Sequence, residues 1–580
     1  MKFRQACSRF TVFTFLSLAK SSPNSTYTNP ILPGWHSDPS CVFVPEEDNT
    51  FFCTTSTFLA TPGLPIYASK DLLHWKPISN VVTRPEQVPE ITNSTSQTQQ
   101  DGLWASTLRY HHGVFYLITS YAHQFPTFGV NTGLLFTSRD IYSDDAWGGP
   151  IMLNISGIDP DLFWDDDGTV YASTAGITQQ TIDLETGDLG PEVNIWAGTG
   201  ASIVEGPHIY KKDGWYYLIA AEGGTELGHH QTIARSRKVT GPYQGYSGNP
   251  ILTNRKTTAY FQTVGHADVF QDSHGNWWGT ALATRSGPAW RIYPMGRETV
   301  LFPVRWEEGG WPILEPVQGR MSGWQLPNPS NNSIGGNGAY ADAPDNITFA
   351  PGTLIPQHFL FWRFPEEGTF TVSPPEYPNS LRLFPSLQNL TGTGIPGVGV
   401  EETAISLVAR RQSHTYFNYT VDVSFAPTAD EEEFGVTIFL TQYQHIDLGI
   451  VLLPLPSNGT LVPHVRFRTT LLDDLKKPAT QNVAVPETIV KALPLSSKTK
   501  IRAQLQIQAK EDSHYVLTAV FPEFNHLRFS QTVEAVLVSG GTGRFTGTLL
   551  GAYATRNGGP GSTPAYITRW QYQGLGQKVS

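Results

Sequence analysis

The sequence predicts an all-β protein in which a five-bladed β-propeller is followed by an antiparallel β-sandwich. Two observations predict the propeller: a strand–turn–strand pattern recurs five times, and sustained 3.6-residue apolar periodicity is hard to find. A third observation predicts the sandwich, because apolar and polar residues alternate in the C-terminal half. With 580 residues, the chain is long enough for two domains.

The propeller prediction depends on five seven-residue segments that align without gaps. Each has an apolar fifth residue and is followed by an aromatic or β-branched run, usually after a glycine turn. The segments begin at Asp38, Trp104, Asp159, Glu205 and His266. Their mean spacing of about 57 residues suits a four-stranded blade with its loops. The alternative is a sandwich with accidental internal similarity.

Three of the five segments begin with a carboxylic acid. Equivalent positions of a radial repeat meet at its axis, so Asp38, Asp159 and Glu205 are predicted to share one site. The register also distinguishes Asp159 from Asp161, because Asp161 aligns with the third residue of the other segments. Asp159 is therefore the predicted site residue of that pair.

Composition shifts divide the chain into four predicted regions. These are a signal peptide at 1–19, the propeller domain at 28–317, a linker at 318–350 and the sandwich at 351–577. The linker is rich in Pro, Asn, Gly and Ser. We interpret the sandwich as a packing or substrate-shaping module, with carbohydrate binding as the alternative.

The N-terminus and the sequons predict secretion. Lys2, Arg4 and Arg9 precede a short apolar stretch, 10–19, as in a secretory signal peptide. No later stretch is long and apolar enough to span a membrane. Sequons for N-glycosylation begin at Asn24, Asn93, Asn154, Asn331, Asn346, Asn389, Asn418 and Asn458.

Two cysteines remain if the signal peptide is removed. Cys41 and Cys53 lie on the two predicted strands of the first hairpin, so a cross-strand disulfide is expected in an oxidising compartment. Two free buried thiols are the alternative.

Charge and aromatic content limit the partners. The formal net charge is −11 and no basic stripe is visible, which argues against nucleic acid and against an anionic membrane. Aromatic residues make up 12% of the chain, enough for both strand cores and stacking platforms for sugar rings. Trp104 at the axis would either stack on a sugar or seal the core.

Three acids around one axis suit glycoside hydrolysis. That reaction needs a proton donor at the leaving oxygen and a second carboxylate on the other face of the sugar. A third carboxylate can keep the pKa of the donor high, because neighbouring like charges resist joint ionisation.

Four stretches of the chain resemble the signatures of glycoside hydrolase family 43. They are Asn29-Pro-Ile-Leu-Pro-Gly-Trp-His-Ser-Asp-Pro-Ser, Ile158-Asp-Pro-Asp-Leu-Phe, Val204-Glu-Gly-Pro-His-Ile-Tyr and Gly296-Arg-Glu-Thr-Val. The resemblance extends from about residue 28 to the end. It is greatest to secreted fungal xylosidase/arabinofuranosidase members, and it implies a C-terminal sandwich of the concanavalin A type. The chain departs from the commoner Trp-Ala-Pro motif at Ser106.

The resemblance also implies residue roles in an inverting reaction. Asp38 would be the general base, Glu205 the general acid, and Asp159 the group that tunes and orients the acid. Arg297 would pair with Asp159 or with a sugar hydroxyl. His266 would face a calcium ion or water in the central channel, so a metal ligand and a histidine bonded to backbone or water both stay open.

The leading functional hypothesis is a secreted, inverting, exo-acting α-L-arabinofuranosidase that debranches arabinoxylan. A β-D-xylosidase acting on xylo-oligosaccharides, or a bifunctional enzyme, is the first alternative. A retaining fructan or sucrose hydrolase is more remote, because Ser37-Asp38-Pro39-Ser40 stands where an Asn-Asp-Pro-Asn type motif is expected. A non-catalytic carbohydrate-binding propeller is the third alternative. The chemistry requires no cofactor, although a structural calcium ion is allowed in the channel.

Overall fold

The computed structural model describes most of the chain outside the N-terminus. The described residues are 25–93, 99–123, 130–327, 333–392, 404–471, 483–495, 499–524, 527–539 and 545–580. The predicted signal peptide and the sequons at Asn24 and Asn331 lie outside them. Helix is restricted to α1 (Pro89–Asn93) and to 3-10 turns at Pro45–Glu47, Pro85–Gln87, Asp144–Ala146 and Ala535–Val538 in this part of the chain.

The N-terminal half folds into short antiparallel sheets. Its strands are β1 (Ser25–Thr28), β2 (Ser40–Val44), β3 (Thr50–Thr54), β4 (Ala60–Thr61), β5 (Gly63–Ser69), β6 (Lys76–Val82), β7 (Gly102–His111), β8 (Val114–His123), β9 (Val130–Ser138), β10 (Ile151–Leu153), β11 (Asp161–Trp164), β12 (Val170–Thr174), β13 (Thr178–Thr181), β14 (Val193–Asn194), β15 (Val204–Lys212), β16 (Trp215–Glu222), β17 (His230–Ser236), β18 (Gln244–Gly245), β19 (Phe261–Gln271), β20 (Trp277–Arg285), β21 (Arg297–Arg305), β22 (Ile313–Leu314) and β23 (Arg320–Gly323). Five sheets have four strands each: β2–β3–β5–β6, β7–β8–β9–β10, β11–β12–β13–β14, β15–β16–β17–β18 and β19–β20–β21–β22.

The first strands of these five sheets form a closed ring, as in a propeller. β2 contacts both β7 and β19, β11 contacts both β7 and β15, and β15 contacts β19. We call β2, β7, β11, β15 and β19 the inner strands. Each begins close to one of the five aligned sequence segments, so the repeat brings equivalent positions to the axis. β1 pairs with β23, which joins the start of the described chain to the strand after the fifth sheet.

The first hairpin contains a disulfide. Cys41 on β2 lies opposite Cys53 on β3, and the two are bonded, as the sequence predicts. The bond links the first inner strand to its neighbour, close to Asp38, which lies two residues before β2.

The C-terminal half is an antiparallel β-sandwich. Its strands are β24 (Asp345–Ile347), β25 (Phe361–Trp362), β26 (Phe370–Val372), β27 (Leu381–Leu383), β28 (Ser406–Arg411), β29 (Tyr416–Phe425), β30 (Glu433–Thr441), β31 (Gln444–Pro454), β32 (Leu461–Leu471), β33 (Ile489–Ala492), β34 (Ile501–Ala509), β35 (His514–Phe521), β36 (Leu527–Glu534), β37 (Leu549–Thr555) and β38 (Ala565–Gly576). One sheet runs β26–β27–β38–β29–β34–β35–β36 with β24 on β38, and the other runs β28–β37–β30–β31–β32–β33.

Alternation along the strands builds the sandwich core. Phe417, Tyr419 and Val421 of β29 are fully buried, whereas Asn418 and Thr420 between them are half-buried. The buried side chains belong to the same apolar cluster as residues of β30 in the opposite sheet. β24 begins inside the predicted linker, where it pairs with the last strand of the sandwich.

The two domains share an interface that reaches the propeller axis. β25 of the C-terminal half pairs with β4 of the propeller. One apolar cluster combines Trp35, Phe58 and Trp104 of the propeller with Trp362 and Phe439 of the C-terminal half. The sandwich therefore lies against the same region in which the aligned acids meet. No helix among the described residues is long and apolar enough to cross a membrane.

Candidate active site

All six predicted site residues line one pocket. Its volume is about 120 Å³. The predicted lining residues are Asp38, Trp104, Asp159, Glu205, His266 and Arg297. The others are Phe58, Ala105, Ile158, Ile203, Gly224, Thr225, Glu226 and Phe545. The three acids are buried, and the pocket lies at the ends of the inner strands, which is where the repeat register predicts the site.

The backbone adopts the same unusual conformation at three of these positions. The φ angles of Asp38, Asp159 and His266 are 53°, 56° and 52°, in the left-handed region that non-glycine residues rarely adopt. In the other two segments a positive φ occurs one residue later, at Ala105 and Gly206. Strained backbone held by its surroundings is concentrated at functional sites, and here it recurs with the repeat.

Asp38 is held in its ionised form by charged and polar neighbours. Its Oδ1 accepts a hydrogen bond of 2.9 Å from Arg297 Nη1, and its Oδ2 accepts one of 2.6 Å from Ser56 Oγ. Burial alone would raise the pKa of Asp38, but Arg297, followed by His266 and Ser56, outweighs it and brings the pKa below its ordinary value. Asp38 can therefore accept a proton from water at neutral pH.

Arg297 pairs with a different acid from the one that the resemblance implied. The resemblance gave Asp159 or a sugar hydroxyl as the partner; the guanidinium bonds Asp38 rather than Asp159, and contact with a sugar hydroxyl stays a prediction. The reason is strand order: His36 N donates to Arg297 O at 3.0 Å, so the start of β21 runs beside the chain that enters the first sheet. Asp159 instead accepts a hydrogen bond of 3.1 Å from the backbone N–H of Gly206.

Glu205 has the environment of a proton donor. Among the described residues, none donates a hydrogen bond to its buried Oε1. Burial, followed by the charge of Asp38, raises the pKa of Glu205 to about 7, against a lowering by Arg297. Burial and the charge of Glu205 raise the pKa of Asp159 well above its ordinary value. Glu205 and Asp159 thus titrate as a pair that retains a proton near neutral pH.

His266 lies between two of the acids. Its Nδ1 is 3.8 Å from Asp38 Oδ1 and 4.0 Å from Asp159 Oδ2. Burial lowers the pKa of His266 to about 4, which leaves the ring neutral at physiological pH. A neutral ring can donate one hydrogen bond and accept another, so it suits contact with a sugar hydroxyl or water.

The residues around His266 fit a calcium ion poorly. Calcium takes six to eight oxygen ligands. In the part of the chain that the structure describes, no group of three or more His, Cys, Asp or Glu side chains is arranged to hold a metal. The next carboxylates along the inner strands, Asp161 and Asp268, both contact the guanidinium of Arg109 instead, at 2.8 and 2.9 Å.

Three aromatic rings form one wall of the pocket. The centroid of Trp104 is 5.5 Å from that of Phe58 and 5.5 Å from that of Phe545. Trp104 Nε1 donates to Gln100 O at 2.8 Å, which fixes the ring. Because Trp104 belongs both to the interdomain apolar cluster and to the pocket lining, it both seals the core and faces the cavity.

Sequence reasoning missed several lining residues. Phe545 comes from the C-terminal half, and its carbonyl oxygen accepts hydrogen bonds from Arg297 Nε and Nη2 at 3.3 and 3.2 Å. Phe58 and Glu226 lie in loops after β3 and β16, outside the aligned segments. A repeat register carries no signal for any of these positions.

The fold and site define a glycoside hydrolase, and comparisons with known proteins show which one. The sequence model of Glycosyl hydrolases family 43 matches residues 27–312. A second model, the beta xylosidase C-terminal concanavalin A-like domain, matches residues 346–573. The chain belongs to glycoside hydrolase family 43, and its sandwich is of the concanavalin A type.

Full-length relatives support this assignment. A non-reducing end alpha-L-arabinofuranosidase of Bacteroides ovatus, BoGH43B, is 30% identical over 570 residues, 97% of this chain and 98% of that protein. Xylosidase/arabinosidase 43B of Humicola insolens is 30% identical over 555 residues, 91% of this chain and 94% of that protein. The crystal structure of a xylan beta-1,4-xylosidase of Bacillus halodurans C-125 has a TM-score of 0.79 at 28% identity, covering 94% of this chain and 99% of that chain.

Proposed function

We propose that this glycoside hydrolase is an inverting, exo-acting α-L-arabinofuranosidase that removes arabinose side chains from arabinoxylan. The observation that carries the proposal is the opposed protonation of two acids in one small pocket. Asp38 is ionised beside Arg297, whereas Glu205 holds a proton near neutral pH. A cavity of about 120 Å³ is well below the range of about 300–1,000 Å³ for drug-sized ligands, so it suits one sugar residue.

The two acids divide the reaction between them. Glu205 donates its proton to the glycosidic oxygen, so the leaving sugar departs as a neutral alcohol. Asp38 accepts a proton from a water molecule, whose oxygen attacks the anomeric carbon from the opposite face. The electron pair of the broken bond stays on the leaving oxygen, and the anomeric configuration inverts. Asp159 titrates together with Glu205; burial, followed by the charge of Glu205, raises the pKa of Asp159, and its carboxylate is fixed by Gly206 N–H.

The named activities of the relatives support arabinose as the released sugar. BoGH43B carries the name of a non-reducing end arabinofuranosidase and aligns over nearly the whole chain. The Humicola insolens relative is named for both xylose and arabinose release. A β-D-xylosidase or a bifunctional enzyme is therefore the second candidate. The family match gives no support to the fructan hydrolase, and three buried carboxylates argue against a purely binding propeller.

Secretion is part of the proposal. The Cys41–Cys53 disulfide supports an oxidising compartment, since such bonds are rare in reducing cytosol. The exposed asparagines Asn154, Asn346 and Asn458 of three sequons support accessibility to glycosylation. Cleavage of residues 1–19 can be checked by N-terminal sequencing of protein recovered from the culture medium.

The test is product analysis on wheat arabinoxylan and on linear xylo-oligosaccharides. We expect the purified protein to release arabinose from arabinoxylan, with xylose release from xylo-oligosaccharides at least about tenfold slower, a difference that one pocket contact can supply. The variant Glu205→Gln controls for contaminating activity. Xylose as the main product would establish the β-xylosidase instead, and release of neither sugar would overturn both candidates.

A further inference from the structure

One guanidinium connects all five inner strands. Arg109 lies on β7, and its side chain contacts one residue from each of the other four. Its contacts are Ser40 Oγ at 3.4 Å, Asp161 Oδ1 at 2.8 Å, His208 Nδ1 at 3.0 Å and Asp268 Oδ2 at 2.9 Å. The five donors of a planar guanidinium suit such a junction, since they reach several acceptors from one fixed group.

Each contacted residue follows a pocket residue closely on the same segment of chain. The pairs are Asp38 with Ser40, Asp159 with Asp161, Glu205 with His208, and His266 with Asp268. Arg109 therefore holds a layer of the channel that is adjacent in sequence to the three aligned acids and to His266. A shift of this layer would displace the reacting groups together.

The layer carries buried negative charge that needs a cation. Asp268 is fully buried and Asp161 nearly so. Tyr210 OH also donates to Asp268 Oδ1 at 2.6 Å. An unpaired buried carboxylate is strongly destabilising, so removing Arg109 leaves a site that demands a replacement charge.

We propose that Arg109 supplies from within the chain the positive charge that a divalent cation would otherwise supply in the channel, and that the enzyme works without a metal. Arg109 is in this account a positioning residue, since it touches neither the pocket nor the sugar. The proposal concerns the channel and holds whichever pentose is released.

The wild-type protein gives the first test. Protein dialysed against EDTA is titrated with CaCl₂ by calorimetry, and kcat is measured on an aryl α-L-arabinofuranoside and an aryl β-D-xyloside with and without the metal. We expect no saturable calcium heat and no change in kcat. A stoichiometric calcium site, or a loss of kcat on chelation that CaCl₂ restores, would overturn the proposal. Activity on the xyloside alone would refute the proposed arabinofuranosidase activity but would leave the proposal about Arg109 unaffected.

Variants of Arg109 give the second test. For Arg109→Ala we expect kcat to fall about 10- to 100-fold with KM changed much less, the range seen for groups that orient reactive ligands. Millimolar guanidinium chloride should restore part of kcat, a rescue that a merely structural loss would not show. Arg305→Ala is the matched control, because that arginine is exposed and pairs only with Glu315 among the described residues.

The conservative variant covers the case in which Arg109→Ala does not fold. Arg109→Lys keeps the charge but loses the planar fork, so we expect kcat between those of the wild type and the alanine variant. Full kcat in Arg109→Ala without guanidinium would contradict the positioning role, and so would an alanine variant that guanidinium does not rescue.

Discussion

Arg297 Nη1 donates a hydrogen bond of 2.9 Å to Asp38 Oδ1, although 259 residues separate the two in the sequence. The contact joins the segment that enters the first inner strand to the start of the third strand of the fifth sheet, so it exists only when the ring of sheets is closed. Closure of the fold and ionisation of Asp38 are thereby coupled through one ion pair.

Removal of the Arg297 charge should change the acid side of the pH–rate profile. In Arg297→Gln, burial still raises the pKa of Asp38, and the largest of the influences that lower it is gone. The pKa of Asp38 then rises, so Asp38 stays protonated up to a higher pH. The acid limb of the pH–rate profile therefore shifts to higher pH. We also expect kcat to fall by about 10²-fold, because the base loses its orientation. Arg297→Lys retains the charge and should shift the limb less; an acid limb unchanged in Arg297→Gln would refute the pairing.

Replacement of Asp159 should change the alkaline limb of the pH–rate profile. Glu205 and Asp159 share a proton, and the second deprotonation of such a pair is opposed by the charge from the first. In Asp159→Asn that repulsion is absent, so Glu205 loses its proton at lower pH. The alkaline limb of the pH–rate profile therefore shifts to lower pH. The measurement is kcat/KM against pH for both proteins. A profile identical to that of the wild type would remove Asp159 from the control of the acid.

Glu205→Gln should discriminate between leaving groups. The variant cannot donate a proton, so hydrolysis of arabinoxylan should fall by about 10²–10⁴-fold. A dinitrophenyl arabinofuranoside needs no protonation of its leaving group and should lose much less. Asp38→Asn is the matched control, since a missing base slows both substrates alike. Equal losses on both substrates in Glu205→Gln would argue against its role as the acid.

Phe545 should matter for activity although it lies outside the propeller. Its ring is 5.5 Å from Trp104 and 6.1 Å from Phe58, and it forms part of the pocket wall. Phe545→Ala opens this wall to water and should lower kcat/KM by about tenfold or more. Phe384→Ala removes a phenylalanine of the C-terminal half that is 45% exposed and away from the pocket, so it should have no effect. Matching activities in the two variants would mean that the sandwich does not shape the site.

The sequence predicted the propeller because five aligned segments recur along the N-terminal half, and the sandwich because apolar and polar residues alternate in the C-terminal half. It also predicted five pocket residues, since Asp38, Trp104, Asp159, Glu205 and His266 each begin an aligned segment. The family resemblance gives a position for Arg297 but not its partner, so Arg297 was expected to pair with Asp159 or with a sugar hydroxyl. Contacts between distant strands decide such pairings.

Other features needed the folded chain. Phe545 comes from a second domain that the repeat does not relate to the first. Arg109 stands in an aligned segment, yet its sixth position gives no sign that one side chain reaches four other strands. Packing across the axis, rather than sequence spacing, creates that junction.

The configuration of the first sugar released tests the central claim most directly. In the proposed mechanism Asp38 deprotonates water, so the enzyme should invert the anomeric carbon. Proton NMR of an α-L-arabinofuranoside digest, recorded from the first minutes, should show β-L-arabinofuranose before the α anomer appears by mutarotation. Initial release of α-L-arabinofuranose would mean that a carboxylate attacks carbon directly, and it would contradict the assignment of Asp38 as general base.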